Sequence, residues 1–209
     1  MNVATTLAAN FARPSPRQLS WLKGVVFVLC LLPLAQIAYV VLSGTAVNPV
    51  EYLTRALGVW TLRLLLITLA ISPLRWLGAP GWLLRLRRML GLYAFFYGVL
   101  HLLSYLWLDQ FFDWPAIWHD ILKRPFITVG MAAMLLMLPL AFTSTDNWMR
   151  RLKRNWGRLH QLVYPLAICG VLHYWWLVKR DISQPAIYAA ILAVLLAWRL
   201  WQRWPRRVQ

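Results

Sequence analysis

The chain has 209 residues, 61% of them apolar and 14 of them tryptophan, with a mean hydropathy of +0.56 and a net charge of +16. That apolar share exceeds what a soluble domain carries, and several apolar stretches approach the ~20 residues needed to cross a bilayer, so composition points to a polytopic α-helical membrane protein with no room for a soluble domain of ordinary size. The charge would suggest nucleic acid in a soluble protein, but here it collects in alternate loops, as the positive-inside rule describes, and no nucleic-acid partner is expected.

Six transmembrane helices are predicted. A tail of residues 1–22 precedes the first, Lys23–Leu42, which is long enough to span and reads as a retained anchor rather than a cleaved signal. The second, Ala56–Leu77, runs inward and carries Arg63, about 7 residues from its outer end. An arginine at that depth is costly unless paired. Its partner is either a haem propionate, which a guanidinium grips bidentately, or the outer headgroups reached by snorkelling.

The third helix, Arg88–Leu108, carries His101 in Gly98-Val99-Leu100-His101. The segment from Gln110 to Lys123 follows, aromatic but too short and too charged to span. It is placed in the outer interface, with His119 on the surface. The fourth helix covers Pro125–Thr143, the fifth Arg158–Val178 and the sixth Pro185–Trp204, with residues 205–209 as a tail. Pro33, Pro73, Pro139 and Pro165 fall within or at the ends of these helices, where each removes a backbone hydrogen bond. Cys30 and Cys169 lie in apolar segments without a metal-binding or disulfide spacing, and read as small core residues. No internal repeat is apparent.

Basic residues set the orientation. Arg13, Arg17, Lys23, Arg75, Arg85, Arg87, Arg88, Arg150, Arg151, Lys153, Arg154, Arg158, Arg199, Arg203, Arg206 and Arg207 fall on one side, against Arg55, Lys123, Arg124, Lys179 and Arg180 on the other. Five of the six acidic residues are on the sparse side, and only Asp146 is on the rich side. Both termini are therefore expected to be cytoplasmic.

His173, in Gly170-Val171-Leu172-His173 of the fifth helix, matches His101 in setting and depth. Both lie in the outer half, about 5 to 7 residues from the helix ends. Ionisable groups inside hydrocarbon are functional candidates by default, and two imidazoles at one level on two helices suit a bis-histidine haem. Thirteen positions before His173 stands His160, about 20 Å lower on an ideal helix. The same position before His101 is Arg88. His160, Arg88 and their basic neighbours thus outline an inner site open to a second haem, a flavin or a quinone, with an ordinary interfacial histidine as the alternative. Hydrolase and nucleotide-binding signatures are absent.

Several segments occur in a distinctive order. They are Arg87-Arg88-Met89-Leu90-Gly91-Leu92; His101; Lys123-Arg124-Pro125-Phe126-Ile127-Thr128-Val129-Gly130; Leu140-Ala141-Phe142-Thr143-Ser144-Thr145; Trp156-Gly157-Arg158-Leu159-His160-Gln161-Leu162-Val163-Tyr164; and His173-Tyr174. From about Asn48 to the sixth helix they closely resemble the MsrQ (YedZ) family, the haem-binding membrane subunits of bacterial periplasmic methionine sulfoxide reductase systems. The wider group is the ferric reductase-like transmembrane domain, shared with NADPH oxidases. The resemblance implies a six-helix domain over residues 23–204 in the bacterial inner membrane, binding haem b and FMN. It implies electrons drawn from the quinone pool or a cytosolic flavin reductase, and passed to the periplasmic molybdopterin subunit MsrP. The chain would be an electron-transfer subunit rather than the catalytic one. His101, His160 and His173 match the family's haem-associated histidines; Arg63 and Arg88 complete the expected cofactor-binding set. The oxidases carry a pair of histidines on each of two helices, whereas this chain has one on its third helix. Another quinone-linked b-type cytochrome, or a non-redox transporter or scaffold, is the alternative reading.

Overall fold

A computed structural model describes residues 14–178 and 181–203, with side chains through Gln202. The tail before residue 14, the basic residues Arg13, Lys179, Arg180, Arg206 and Arg207, and the predicted helix end at Trp204 lie outside the described residues. The described residues form helices and no strands. The long ones are α1 (Pro16–Leu42), α2 (Pro49–Trp76), α3 (Arg87–Leu103), α5 (Pro125–Phe142), α8 (Val163–Leu177) and α9 (Ser183–Arg203). Between them lie the short helices α4 (Trp114–Lys123), α6 (Asp146–Leu152) and α7 (Arg154–Leu159). A π-helical turn, Ser104–Asp109, extends α3.

Two helices start earlier than the apolar runs predict, because their caps lie in polar flanks. Ser15 accepts from the Gln18 amide while the Gln18 side chain accepts from the Ser15 amide, a reciprocal cap with Pro16 in the first turn. Asn48 caps α2 in a similar way through the Glu51 amide.

Five helical stretches are long and apolar enough to cross a membrane: Pro16–Leu42, Pro49–Trp76, Arg87–Asp109, Pro125–Phe142 and Ser183–Gln202. The predicted fifth span is broken instead. It consists of α7, a 3-10 turn at His160–Leu162, and α8, which has 15 residues. Pro165 has no N–H to offer the Gln161 carbonyl, and the chain tightens just before it.

Two helix pairs make the frame: α2 packs along α3, and α5 along α8. Their shared core includes Leu57, Leu62, Leu65, Leu69, Ala94, Leu166, Ala167 and Val171. Helix α9 lies against α8 and α2, and α1 lies against α2 and α3. Beyond the π-helical turn, Phe111 and Phe112 take left-handed φ angles of 48° and 58° and reverse the chain into α4. That helix turns Ile117 and Asp120 inward and leaves Trp114, Trp118 and His119 exposed, as an interfacial segment requires. Asp120 accepts from the Tyr105 hydroxyl and pairs with Arg124.

Helix α1 is docked through tyrosines of α3. Pro33 interrupts α1, and the fully buried Tyr97 hydroxyl enters the gap. It accepts from the Leu34 amide at 3.0 Å and donates to the Cys30 carbonyl at 2.8 Å. The hydroxyl thus bridges the two groups that a helical hydrogen bond would pair. Four residues earlier on α3, Tyr93 donates to the Phe27 carbonyl and sets its ring edge-on to the Phe27 ring. Tyr97→Phe should therefore loosen α1 and cost about 1–3 kcal/mol, since it removes both hydrogen bonds of a buried hydroxyl; a lowered thermal midpoint in detergent is the expected outcome.

Candidate cofactor site

His101 and His173, on α3 and α8, meet in the frame with ring centroids 6.0 Å apart and planes at 76°. Each ring is tied to a neighbouring helix in the same manner. The Nδ1 of His101 lies 2.8 Å from the Thr54 carbonyl on α2, and the Nδ1 of His173 lies 2.6 Å from the Phe126 carbonyl on α5. A carbonyl only accepts, so both Nδ1 atoms carry the proton. Each Nε2 then presents its lone pair and has no hydrogen bond among the described residues. Metal-binding histidines are oriented in this way, one nitrogen donating to a carbonyl and the other free to ligate.

Two glycines make the contacts possible. A Cβ built on Gly58 would stand 3.1 Å from His101 Nδ1, and one on Gly130 would stand 2.7 Å from His173 Nδ1. Gly58 follows Thr54 by one helical turn, and Gly130 follows Phe126 by one. In a helix, the residue one turn on shields a carbonyl with its side chain; glycine leaves it open.

The arrangement is duplicated. Both hydrogen bonds span 47 residues, and the two sets share one offset of 72 positions: 101 to 173, 54 to 126 and 58 to 130. Gly98-Val99-Leu100-His101 becomes Gly170-Val171-Leu172-His173 at that offset, and Ser72 and Trp76 become Ser144 and Trp148. Contacts between the halves are reciprocal. Gly98 faces Met134, and Gly170 faces Leu62, which precedes Met134 by the same offset. The two halves are therefore approximate repeats of one helix-pair motif that meet at the histidine pair. This corrects the expectation that the chain holds no repeat. Few identities mark it, and the lipid-facing positions between them are interchangeable.

The other candidates fall elsewhere. Arg63 donates through Nε to the Tyr188 hydroxyl on α9 at 2.8 Å, and its guanidinium lies over the Trp60 ring. Tyr188 in turn packs against Tyr174, next to His173. His160 stacks on Trp156 and points Nδ1 at the Trp156 carbonyl, with Ser144 Oγ 3.4 Å from Nε2. No recorded contact joins Arg88 to His160. Arg88 turns outward to pair with Asp146, and it is Arg87 that acts electrostatically on His160. Ser72, the repeat partner of Ser144, takes a long hydrogen bond from Arg87.

Among the described residues no group of three or more His, Cys, Asp or Glu side chains converges. Two imidazoles alone suit the axial positions of a metal whose remaining donors come from a macrocycle. The 6.0 Å between ring centroids is close enough for both imidazoles to serve one such site. Beside Phe126, whose ring also contacts His173, a cleft of about 840 Å³ opens between Arg55, Arg124, Trp176 and Asp181.

Comparison with known proteins agrees with this architecture. A family profile described as "Ferric reductase like transmembrane component" matches residues 57–171. A protein of Xanthomonas campestris pv. campestris (strain 8004), named protein-methionine-sulfoxide reductase heme-binding subunit MsrQ, is 62% identical over 156 residues, 75% of this chain and 72% of its own length. Its namesake in Azospira oryzae is 55% identical over 204 residues, 93% of this chain and 88% of its own length. No solved structure matches.

The glycine contacts give a stability test. Gly130→Ala forces the His173 ring to move and should cost about 1–3 kcal/mol by overpacking. Gly58→Ala, with slightly more room, should cost less. Thermal midpoints of the two variants in one detergent check the order.

Proposed function

The chain belongs to the MsrQ family of ferric reductase-like multi-pass membrane proteins, and on that premise we propose that it is a haem b-containing electron-transfer subunit of the bacterial inner membrane. It draws electrons from the quinone pool or a cytosolic flavin reductase. It passes them to the periplasmic molybdopterin subunit MsrP, which reduces methionine sulfoxide in oxidised proteins. The observation that carries this reading is the pair of imidazoles, each with Nδ1 tied to a carbonyl and Nε2 free.

His101 and His173 hold the haem iron in this proposal. Haem held there would supply one-electron redox chemistry. The protein's own groups do the rest. Thr54 and Phe126 fix the tautomer and orientation of the two ligands. Arg63 and the buried Thr54 hydroxyl, which has no partner among the described residues, are the donors on hand for the propionates. His160, half-buried and held by Trp156, serves the inner side, where electrons enter. FMN is proposed there too, its phosphate matched to the basic residues of that end, Arg88 included.

The membrane arrangement belongs to the same proposal. The domain crosses six times, with α7, the 3-10 turn and α8 together as the fifth crossing, and both termini are cytoplasmic. In support, Arg87 and Arg199 line a crevice at one end of the bundle, while Arg55, Arg124 and Asp181 line the cleft at the other. The cleft shares Phe126 with the histidine site and is the proposed exit toward MsrP.

His101→Ala and His173→Ala should each abolish the haem bands in a reduced-minus-oxidised spectrum of the purified protein. His160→Ala should keep them and slow reduction by the donor. An unaltered spectrum in both of the first two variants would defeat the ligand assignment.

A further inference from the structure

The segment between α5 and α8 folds into a basic elbow. Helices α6 and α7 meet at Lys153, whose backbone takes φ 48° and ψ −118°. That conformation suits glycine and strains a lysine, so the bend is held against a local cost. Around it Arg150, Arg151, Lys153, Arg154 and Arg158 are all exposed, and none of them makes an ion pair among the described residues. The one acidic residue of the segment, Asp146, is taken by Arg88. The five cations therefore stand unopposed.

The elbow is also fastened to His160. Trp156, which lies among these cations in the sequence, stacks on the His160 ring with centroids 3.8 Å apart. Its Nε1 donates to the Thr143 carbonyl just beyond α5, at 2.9 Å. Whatever binds the elbow is brought to the ring that marks the inner site.

An anionic membrane surface attracts basic residues, but a helix lying on a membrane also inserts an apolar face. At the opposite end of the bundle α4 has such a face, with Trp114, Trp118 and Leu122 exposed. From Asp146 to His160 the one large apolar side chain among the exposed residues is Trp148, and the Arg151 guanidinium lies over its ring. The elbow presents charge without an apolar face to insert, which suits a water-soluble anionic partner.

We propose that the α6–α7 elbow is the docking surface for a soluble flavin reductase that presents an acidic face, landing it over the Trp156–His160 stack. The identity of the donor and its side of the membrane rest on the preceding reading; the elbow adds where it lands. Charges of this kind act mainly on the association rate, and salt weakens them.

The test measures binding of a purified bacterial NAD(P)H:flavin reductase to the full-length protein in uncharged detergent, by biolayer interferometry at low and high ionic strength. Binding needs no haem, so it is read apart from the haem spectrum. The wild type should bind, with an association rate about tenfold or more lower at high salt. Arg150→Gln/Arg151→Gln/Arg154→Gln should lower the low-salt association rate about tenfold and flatten its salt dependence, with dissociation little changed. Arg17→Gln/Lys23→Gln/Arg75→Gln removes as many exposed charges and should match the wild type. Soluble polyglutamate should compete with the reductase for the wild type, a result that stands even where the elbow variant fails to fold. No binding by the wild type, binding indifferent to salt and polyglutamate, or equal loss in both triple variants overturns the proposal. So does an elbow variant that binds the reductase normally but loses phosphatidylglycerol retained by the wild type in native mass spectrometry, which assigns the elbow to lipid. A normal haem spectrum beside any of these failures leaves the histidine assignment standing. Salt-dependent binding by a wild type without haem bands upholds the elbow and defeats that assignment.

Discussion

One constraint organises the molecule: a helix carbonyl can accept a second hydrogen bond only where nothing covers it. Thr54 and Phe126 offer such carbonyls because glycine stands one turn further on. The imidazoles that reach them must come from helices packed closely against α2 and α5, and this helps to set how α3 and α8 lie. A larger side chain at either glycine would push the helices apart or turn the ring away. Close packing, ring orientation and the free Nε2 atoms are thus aspects of one contact, made twice.

The family profile covers residues 57–171, from α2 into α8, which is the duplicated frame. Helices α1 and α9 lie outside it and are attached by different means. Hydroxyls of Tyr93 and Tyr97 fasten α1 at a proline break. Helix α9 brings Tyr188 to Arg63 and sets Trp201 edge-on to Trp76. The frame carries the imidazoles, and of the added helices α9 supplies the phenol that accepts from Arg63.

His101 and His173 were legible in the sequence because an ionisable residue in an apolar run stands out. Their partners were not, since a backbone carbonyl has no sequence identity; the available signal was the recurrence of glycine at one fixed distance before each Gly-Val-Leu-His. Depth along a helix left Arg63 with two readings, a propionate or the headgroups. The phenol it meets belongs to a helix 125 residues away, beyond the reach of local pattern. Arg88 and His160 looked equivalent by spacing, but Asp146 draws Arg88 outward. The fifth span reads as continuous because apolar residues run through it. Its division follows from hydrogen bonding near Pro165, which hydropathy does not register.

Under the proposed role, the paired clamps bear on energetics as well as position. A ring fastened at one nitrogen is held against rotation about its Cβ–Cγ bond, so with haem bound the two ligands would move little when a single charge arrives or leaves. Donation of the Nδ1 proton to a carbonyl also makes the opposite nitrogen more electron-rich. With haem bound, that would favour ferric over ferrous iron, and the two clamps together would lower the midpoint potential.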